Sequence, residues 1–364
     1  MRRSAAKVLP VLCAFLLGAC GLLDPTPGLP PPTLEPTPTE PPPSPTPEPQ
    51  IGSVGRPLGI LFSPARGSSH SFPTPEALAS ALRDVTGLAF EVSAASSHRE
   101  AIEEICAFPE TTIGFLPAVD YVLARKACAV DVGAKSINSG YEWSAGMVFV
   151  PRSSEFETLA DLDGRAWAFP SATSLDSYLY PLHMFEQADL APSRTLAAGS
   201  DAAAVAAVYD GRADFGTAFY VPLRVDGKPA DWHPGDPPDV PEDLVRFCTT
   251  TADNKAILCA NLNVRDARRE VRAEFSDVVQ KVRIVATTPR LPNDAVCFGA
   301  YLPAELRQLV LAALFDLAAG DSEGFAELMA PYGWTGLLAA SDTDFAAARL
   351  AVDAAGIGLE DLDP

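Results

Sequence analysis

From Leu58 onward, short apolar runs alternate with stretches whose apolar residues recur at helical spacing. Leu58 to Phe62 reads as a buried strand, and Thr74, placed as an N-cap, opens a helix through Arg83 that stops at Gly87. Phe90 to Ala94 predicts a second strand, His98 to Ile105 a second helix, Thr112 to Leu116 a third strand and Ala118 to Lys126 a third helix. Such alternation is the mark of βαβ units on a parallel sheet, and the class is α/β. The pattern restarts at Met147 to Val150, a strand, followed by a strand over Arg165 to Phe169 and a helix over Leu175 to Gln187. A helix from Ala202 to Tyr209 ends at Gly211, and Asp214 to Ala218 forms the next strand.

The last third returns to helices. Leu306, Leu309, Val310, Ala313, Leu314 and Leu317 fall at i, i+3, i+4, i+7, i+8 and i+11, one apolar face of an amphipathic helix. The stretch from Val225 to Asn261 is richer in Pro and Asp and reads as an irregular insertion. Two α/β units with a helical return predict two lobes, with the chain passing between them twice.

The N-terminal pattern is different. Met1-Arg2-Arg3 and Lys7 give a basic start, Val8 to Leu17 is apolar, and Gly18-Ala19 precede Cys20. That order predicts a secretory signal peptide over residues 1–19, because ten apolar residues fall short of the roughly 20 a membrane-spanning helix needs. Cys20 straight after Leu17-Gly18-Ala19 resembles a bacterial lipobox. The resemblance implies cleavage before Cys20 and a lipid on it, which hangs the protein on the outer face of the cytoplasmic membrane. The alternative is an ordinary signal peptide that happens to contain Cys20. From Asp24 to Gln50 prolines are interleaved with Thr, Ser and Glu. Proline fixes φ and removes a donor, so residues 20–52 are expected to be a disordered, polyproline-II-like linker reaching about 80 Å.

Signal and linker leave a body large enough for one large or two medium domains. The formal charge of the whole chain is −20, and removing Arg2, Arg3 and Lys7 takes it to −23. An acidic body without basic runs argues against nucleic acid, whose phosphates need Lys and Arg, and against a polybasic hold on anionic lipid. After Leu17 no uninterrupted apolar stretch is long enough to span a bilayer. Beyond Cys13 and Cys20 five cysteines remain, and outside the cell disulfides persist. Pairing the neighbours in sequence gives Cys106 with Cys128 and Cys248 with Cys259, leaving Cys297 in an apolar strand; sequence alone leaves other connectivities open. There is no CxxC pair, and His70, His98, His183 and His233 are scattered, so neither a zinc site nor a cofactor is expected.

Two segments place hydroxyls at a helix start. Phe169-Pro170-Ser171-Ala172-Thr173-Ser174-Leu175-Asp176-Ser177-Tyr178 runs from strand to helix, and Gly199-Ser200-Asp201-Ala202 precedes an alanine-rich helix. Free N–H groups at a helix N-terminus, with Ser and Thr hydroxyls, suit an anion; ordinary capping uses the same residues. Enzyme motifs are missing: no G-x-S-x-G elbow, no G-x-x-x-x-G-K-[ST] loop and no H-E-x-x-H. His183 reads as a helix-face histidine and His98 as the first residue of a helix, and nothing marks a triad. No enzyme is expected.

At these residues the chain resembles the phosphate/phosphite/phosphonate-type substrate-binding proteins of ABC transporters. Leu159-Ala160-Asp161-Leu162-Asp163-Gly164-Arg165-Ala166-Trp167-Ala168-Phe169 is similar to that family's segment before the anion loop, and Thr173-Ser174 with Tyr178 and Pro181 sits where the loop falls. Gly199-Ser200-Asp201 through Val205, Gly211-Arg212-Ala213-Asp214-Phe215-Gly216, Arg283 to Asp294 and Gly114-Phe115-Leu116-Pro117 with Tyr121 match in the same order. The resemblance spans most of Leu58 to Gly356, outside the insertion. It implies a type II periplasmic-binding fold with two crossing hinge strands, here 53–146 with 294–364 as the first lobe and 147–293 as the second. It also implies a monomeric binder that closes on a small-molecule ligand and delivers it to an ABC permease. The ligand residues implied are Thr173, Ser174, Asp176, Ser177, Tyr121, His98, Asp201 and Tyr220, around a small phosphorus oxyanion or phosphonate.

The departures lie at the ligand. Ser174-Leu175-Asp176-Ser177 stands where the family has a Ser-Thr-Ser-Gly run; Asp201 stands at a usual histidine, and His98 at a first-lobe tyrosine. If Asp176 points inward, its charge opposes a dianion by roughly 4 kcal/mol at 4 Å, with an effective dielectric constant near 20. If it points outward it complements the helix dipole. An inward Asp176 or Asp201 suits another small polar solute with a cationic group. A sensory or scaffold lipoprotein without a transport role is the third reading.

Overall fold

β1 (Leu58–Phe62), β2 (Phe90–Ala94) and β3 (Thr112–Leu116) run parallel, linked through α1 (Pro75–Thr86) and α2 (His98–Ala107). All five residues of β3 are buried, which is why its sequence is a continuous run rather than an alternation. α3 (Ala118–Cys128) leads to β4 (Asp131–Asn138), and the Cys106–Cys128 disulfide ties the end of α2 to the end of α3. The computed structural model describes residues 48–64, 75–226, 228–229, 232–320 and 322–362. The proposed signal peptide, Cys20, most of the Pro-rich stretch, His70 and the Thr74 cap lie outside the described residues.

Ser139 and Gly140, with φ of 53° and 87°, make the turn that leaves the first sheet. Both residues sit in the left-handed region that a two-residue hairpin turn requires. β5 (Trp143–Pro151) then opens a second sheet with β6 (Ala166–Phe169), α4 (Tyr180–Gln187), β7 (Arg194–Ala197), α5 (Asp201–Tyr209) and β8 (Phe215–Tyr220). β6 is parallel to β7 and β8, and β5 is antiparallel to β8.

The segment expected to be irregular is instead ordered into five short antiparallel strands. β9 (Arg224–Val225), β10 (Lys228–Pro229), α6 (Glu242–Val245), β11 (Cys248–Thr250), β12 (Ile257–Cys259) and β13 (Leu262–Val264) follow one another, and the strand order is β10-β9-β13-β12-β11. The second disulfide joins Cys248 to Cys259, which face each other across β11 and β12. Arg268, wholly buried, bonds Asp266 at 2.9 Å and Asp239 at 2.6 Å and so pins the insertion to the second lobe.

α7 (Val278–Lys281), β14 (Val282–Thr287) and β15 (Leu291–Pro292) bring the chain back along β5. β16 (Ala295–Phe298), α8 (Ala304–Gly320), α9 (Ser322–Leu328), β17 (Trp334–Ala339) and α10 (Ala346–Ala355) complete the first lobe, whose sheet order is β17-β4-β16-β3-β1-β2. The two passages between sheets are locked together: the buried amide of Asn293 donates to the Ser136 carbonyl at 3.0 Å and to the Tyr141 carbonyl at 2.9 Å.

Each sheet has apolar residues on both faces. Alternate residues of β5 divide the second lobe, Met147 and Phe149 facing α5 and the insertion, Val148 and Val150 facing Trp167 and Phe185. In the first lobe α1, α8 and α9 cover one face, α2, α3 and α10 the other. The buried stripe of α8 runs through Val310, Ala313, Leu314 and Ala318. Leu309, expected on that stripe, is exposed, because Leu311 rather than Leu309 turns toward the sheet. Cys297 is buried in β16, where desolvation pushes its thiol up and makes it inert. Among the described residues no helix is long and apolar enough to cross a membrane.

Candidate functional site

Parallel strands present ligands at their carboxyl ends. In the first lobe those ends carry Ser63 after β1, His98 after β2 and Asp120 after β3. His98 follows the cap Ser97 and opens α2, as expected. Its Nδ1 lies 2.7 Å from Asp120 Oδ2, and the Ser63 hydroxyl donates to the same oxygen at 2.5 Å. Asp120 and Ser63 were not among the candidates; the signal for them was position alone, one residue past an apolar strand and in the first turn of the next helix. Both Ser63 and the carboxylate meet the Nδ1 side of the ring, so the three do not form a Ser–His–Asp relay.

Tyr121 does not reach this edge. It is fully buried in the first-lobe core against Phe345 at 4.6 Å, and its hydroxyl donates to Asp342 at 2.8 Å. The reason is helical phase: Asp120, one residue earlier, takes the edge position, and Tyr121 turns inward. Tyr220, at the end of β8, is also buried. It packs on Trp232 at 5.3 Å, and its hydroxyl donates to the Pro238 carbonyl.

The second-lobe edge carries the hydroxyl loop. The expected helix from Leu175 begins as a π turn over Leu175–Leu179 before α4 takes over. A π turn holds one more residue than an α turn, and such turns recur at functional sites. It sets Asp176 and Ser177 inside, both buried. Gly146 of β5 permits this approach, since a Cβ there would stand 1.7 Å from the Asp176 carbonyl oxygen. Thr217 receives the Trp167 indole N–H at 2.9 Å and donates to the Ser177 carbonyl, anchoring the turn to the sheet.

The hydroxyls are already engaged. Ser174 donates to Asp176 Oδ1 at 3.1 Å; Ser177 lies 2.8 Å from the same oxygen and 3.2 Å from Asp201 Oδ1. Asp201 also accepts the Phe219 N–H at 2.9 Å, while Ser200 caps α5 through the Ala203 N–H. The single Ser177 hydroxyl proton thus lies within reach of two carboxylates, and the Ser174 and Ser177 hydroxyls are directed to the protein's own acceptors. Thr173 sits further out, its Oγ1 3.1 Å from Ser171 Oγ.

The lobes meet at the π turn. Leu175 and Leu179 belong to the buried first-lobe cluster that includes Leu116, Phe345 and Val352. Beside them a cavity of about 270 Å³ opens between Thr173, Tyr178 and Leu182 on one side and Ile357, Glu360 and Asp361 on the other. Arg99 donates to the Glu360 and Leu362 carbonyl oxygens without lining the cavity. Its charged lining is therefore acidic. Among the described residues no group of His, Cys, Asp and Glu has the arrangement of a metal site.

A family model described as ABC transporter, phosphonate, periplasmic substrate-binding protein matches residues 60–345. Among solved structures, XAC2383 from Xanthomonas citri, in its chloride-bound form, is 14% identical; the match covers 82% of this chain and 99% of that one, with a TM-score of 0.57. PhnD1 from Prochlorococcus marinus, in complex with methylphosphonate, is 11% identical over 82% of this chain and 98% of that one, with a TM-score of 0.52. At such identities the likeness is one of fold, the two-lobed type II periplasmic-binding fold. No curated protein sequence matches the chain.

Proposed function

Because the chain belongs to the phosphonate-type periplasmic substrate-binding proteins of ABC transporters, we propose that it is the extracytoplasmic receptor of an importer whose ligand carries a cationic group. The observation that carries this reading is the use of the Ser174 and Ser177 hydroxyls on Asp176. A carboxylate of the protein takes the donors a bound oxyanion would need. A phosphorus dianion brought to about 4 Å from Asp176 meets roughly 4 kcal/mol of repulsion per unit charge at an effective dielectric constant near 20. An ammonium or guanidinium group gains by the same amount. Glu360 and Asp361 on the neighbouring cavity, and the Tyr178 ring beside it, suit a cation further.

In this reading Cys20 carries the lipid, residues 20–52 are the tether, and the monomeric body works beside its permease on the outer face of the membrane. Residues 53–146 and 294–364 act as one lobe and 147–293 as the other, closing on the solute about the Asn293 lock, with ligand favouring the closed form. His98, Thr173, Ser174, Asp176, Ser177 and Asp201 face the solute. The receptor binds and releases without catalysis.

A thermal-shift panel on unfolded and refolded protein tests the reading. Ligand at about 1,000 times Kd adds roughly 4 kcal/mol, several degrees of melting shift. Amines, betaines and guanidino compounds are expected to raise the melting temperature. A response confined to phosphate, phosphite and alkylphosphonates would contradict it and restore the oxyanion ligand. A scaffold role is favoured by one observation, the burial of Leu175 in the opposite lobe, and predicts no response to any solute; a sensory role predicts a solute response without transport.

A further inference from the structure

In so acidic a chain, arginines are expected to find carboxylates, and the buried ones do: Arg268 with Asp266 and Asp239, Arg152 with Asp239 and Glu242. One group does not. Arg224 of β9 lies directly across from Asn263 of β13. Arg265 follows two residues beyond Asn263, on the face opposite the buried Val264. Arg269 comes four residues later, in the short turn 267–271.

The crossing turn closes the group. Arg224 Nη2 donates to the Ser139 carbonyl at 3.2 Å, and Tyr141, on the same turn, stands beside Arg224 and Arg265. Arg269 meets Glu270 at 3.1 Å. Among the described residues no carboxylate lies within ion-pair distance of Arg224 or Arg265. The Nε groups of Arg224 and Arg265 and the Tyr141 hydroxyl are shielded from solvent and make no hydrogen bond. Burial, with the like charges of Arg269 and Arg224, pulls the Arg265 guanidinium below its usual range. Buried donors and like charges left unmatched are costly, and an anion removes both costs.

We propose that Arg224, Arg265 and Arg269, with the Tyr141 hydroxyl, form an oxyanion site between the inserted sheet and the crossing turn. Guanidinium forks match the paired oxygens of a phosphate or sulfate group. An anion held there links the insertion to the passage between the lobes. The site is independent of the acidic cleft and of the solute proposed for it.

Calorimetric titration of the full-length chain in neutral detergent with inorganic phosphate and with sulfate tests the site. Binding is expected in the wild type, weakened at least tenfold by Arg265→Ala and by Arg224→Ala, and largely kept by Arg265→Lys. Without anion, Arg265→Ala is expected to melt no lower than wild type, because it removes a charge the fold disfavours; phosphate is expected to raise the melting temperature of wild type alone. Heat suppressed by phosphatidylglycerol in the micelles supports the site and assigns a lipid headgroup; heat unchanged by that lipid supports it and assigns a free anion. No heat with wild type, or full heat with both alanine variants, overturns the proposal. So does an anion-free Arg265→Ala that melts well below wild type, the mark of a structural arginine.

Discussion

The Ser177 hydroxyl donates to Asp176 Oδ1 at 2.8 Å, a bond between sequence neighbours inside the π turn. It directs a loop hydroxyl to a carboxylate of the protein itself. Replacing Asp176 by Asn keeps the shape and removes the charge. In Asp176→Asn, affinity for a cationic solute is expected to fall by about tenfold or more, and affinity for methylphosphonate to rise. At 1.4 kcal/mol per factor of ten, even half of a repulsion near 4 kcal/mol is measurable by titration calorimetry. Unchanged affinities for both probes would show that Asp176 does not meet the solute.

Leu175 is buried among first-lobe residues such as Leu116 and Phe345. It holds the lobes together by apolar burial without a solute. Leu175→Ala is expected to cost about 2–5 kcal/mol in denaturant unfolding if the site cannot collapse, and less if the lobes part. Small-angle scattering separates the cases, and a larger radius of gyration in the solute-free variant is the expected result.

Gly146 and the Asp176 carbonyl approach more closely than any side chain allows. Gly146→Ala must push the π turn off β5 and with it the bonds of Ser177. The expected result is loss of solute binding with both sheets retained, seen as native far-ultraviolet circular dichroism without a ligand-induced melting shift.

Asp342 gives a pH test in the first lobe. Burial works against its charge, but hydrogen bonds from Arg349 and Tyr121 and the charges of Arg125 and Arg349 hold its carboxyl below the usual range. A carboxylate depressed in the folded state stabilises above its unfolded value, near 4, and that contribution is lost as pH falls through the folded value. Asp342→Asn is therefore expected to melt below wild type at pH 6–7, with the difference shrinking below about pH 4. A constant difference down to pH 2 would assign the loss to packing instead.

The βαβ order was legible because parallel strands such as β3 are buried on both sides and leave unbroken apolar runs. Both disulfides followed from proximity in sequence. The inserted sheet was not legible: strands of two or three residues carry no period, and cross-strand pairing with a disulfide orders them. The π turn was hidden for another reason. Leu175 to Gln187 has helical spacing throughout, so nothing local distinguishes an inward Asp176 from one facing water. Tyr121 lies one helical position from the edge, which Asp120 takes, and a single sequence does not resolve that phase. The arginine group was not legible because Arg224, Arg265 and Arg269 converge only when β9 pairs with β13.

The most direct measurement is a calorimetric titration of refolded wild-type protein with two ligands on the same short chain, propyltrimethylammonium and propylphosphonate. A cleft whose donors are spent on Asp176 is expected to bind the ammonium compound and give no cleft binding with the phosphonate; phosphonate heat from the arginine site is expected to weaken at least tenfold in Arg265→Ala. Phosphonate binding undiminished in Arg265→Ala, with none for the ammonium compound, would contradict a cation-directed cleft.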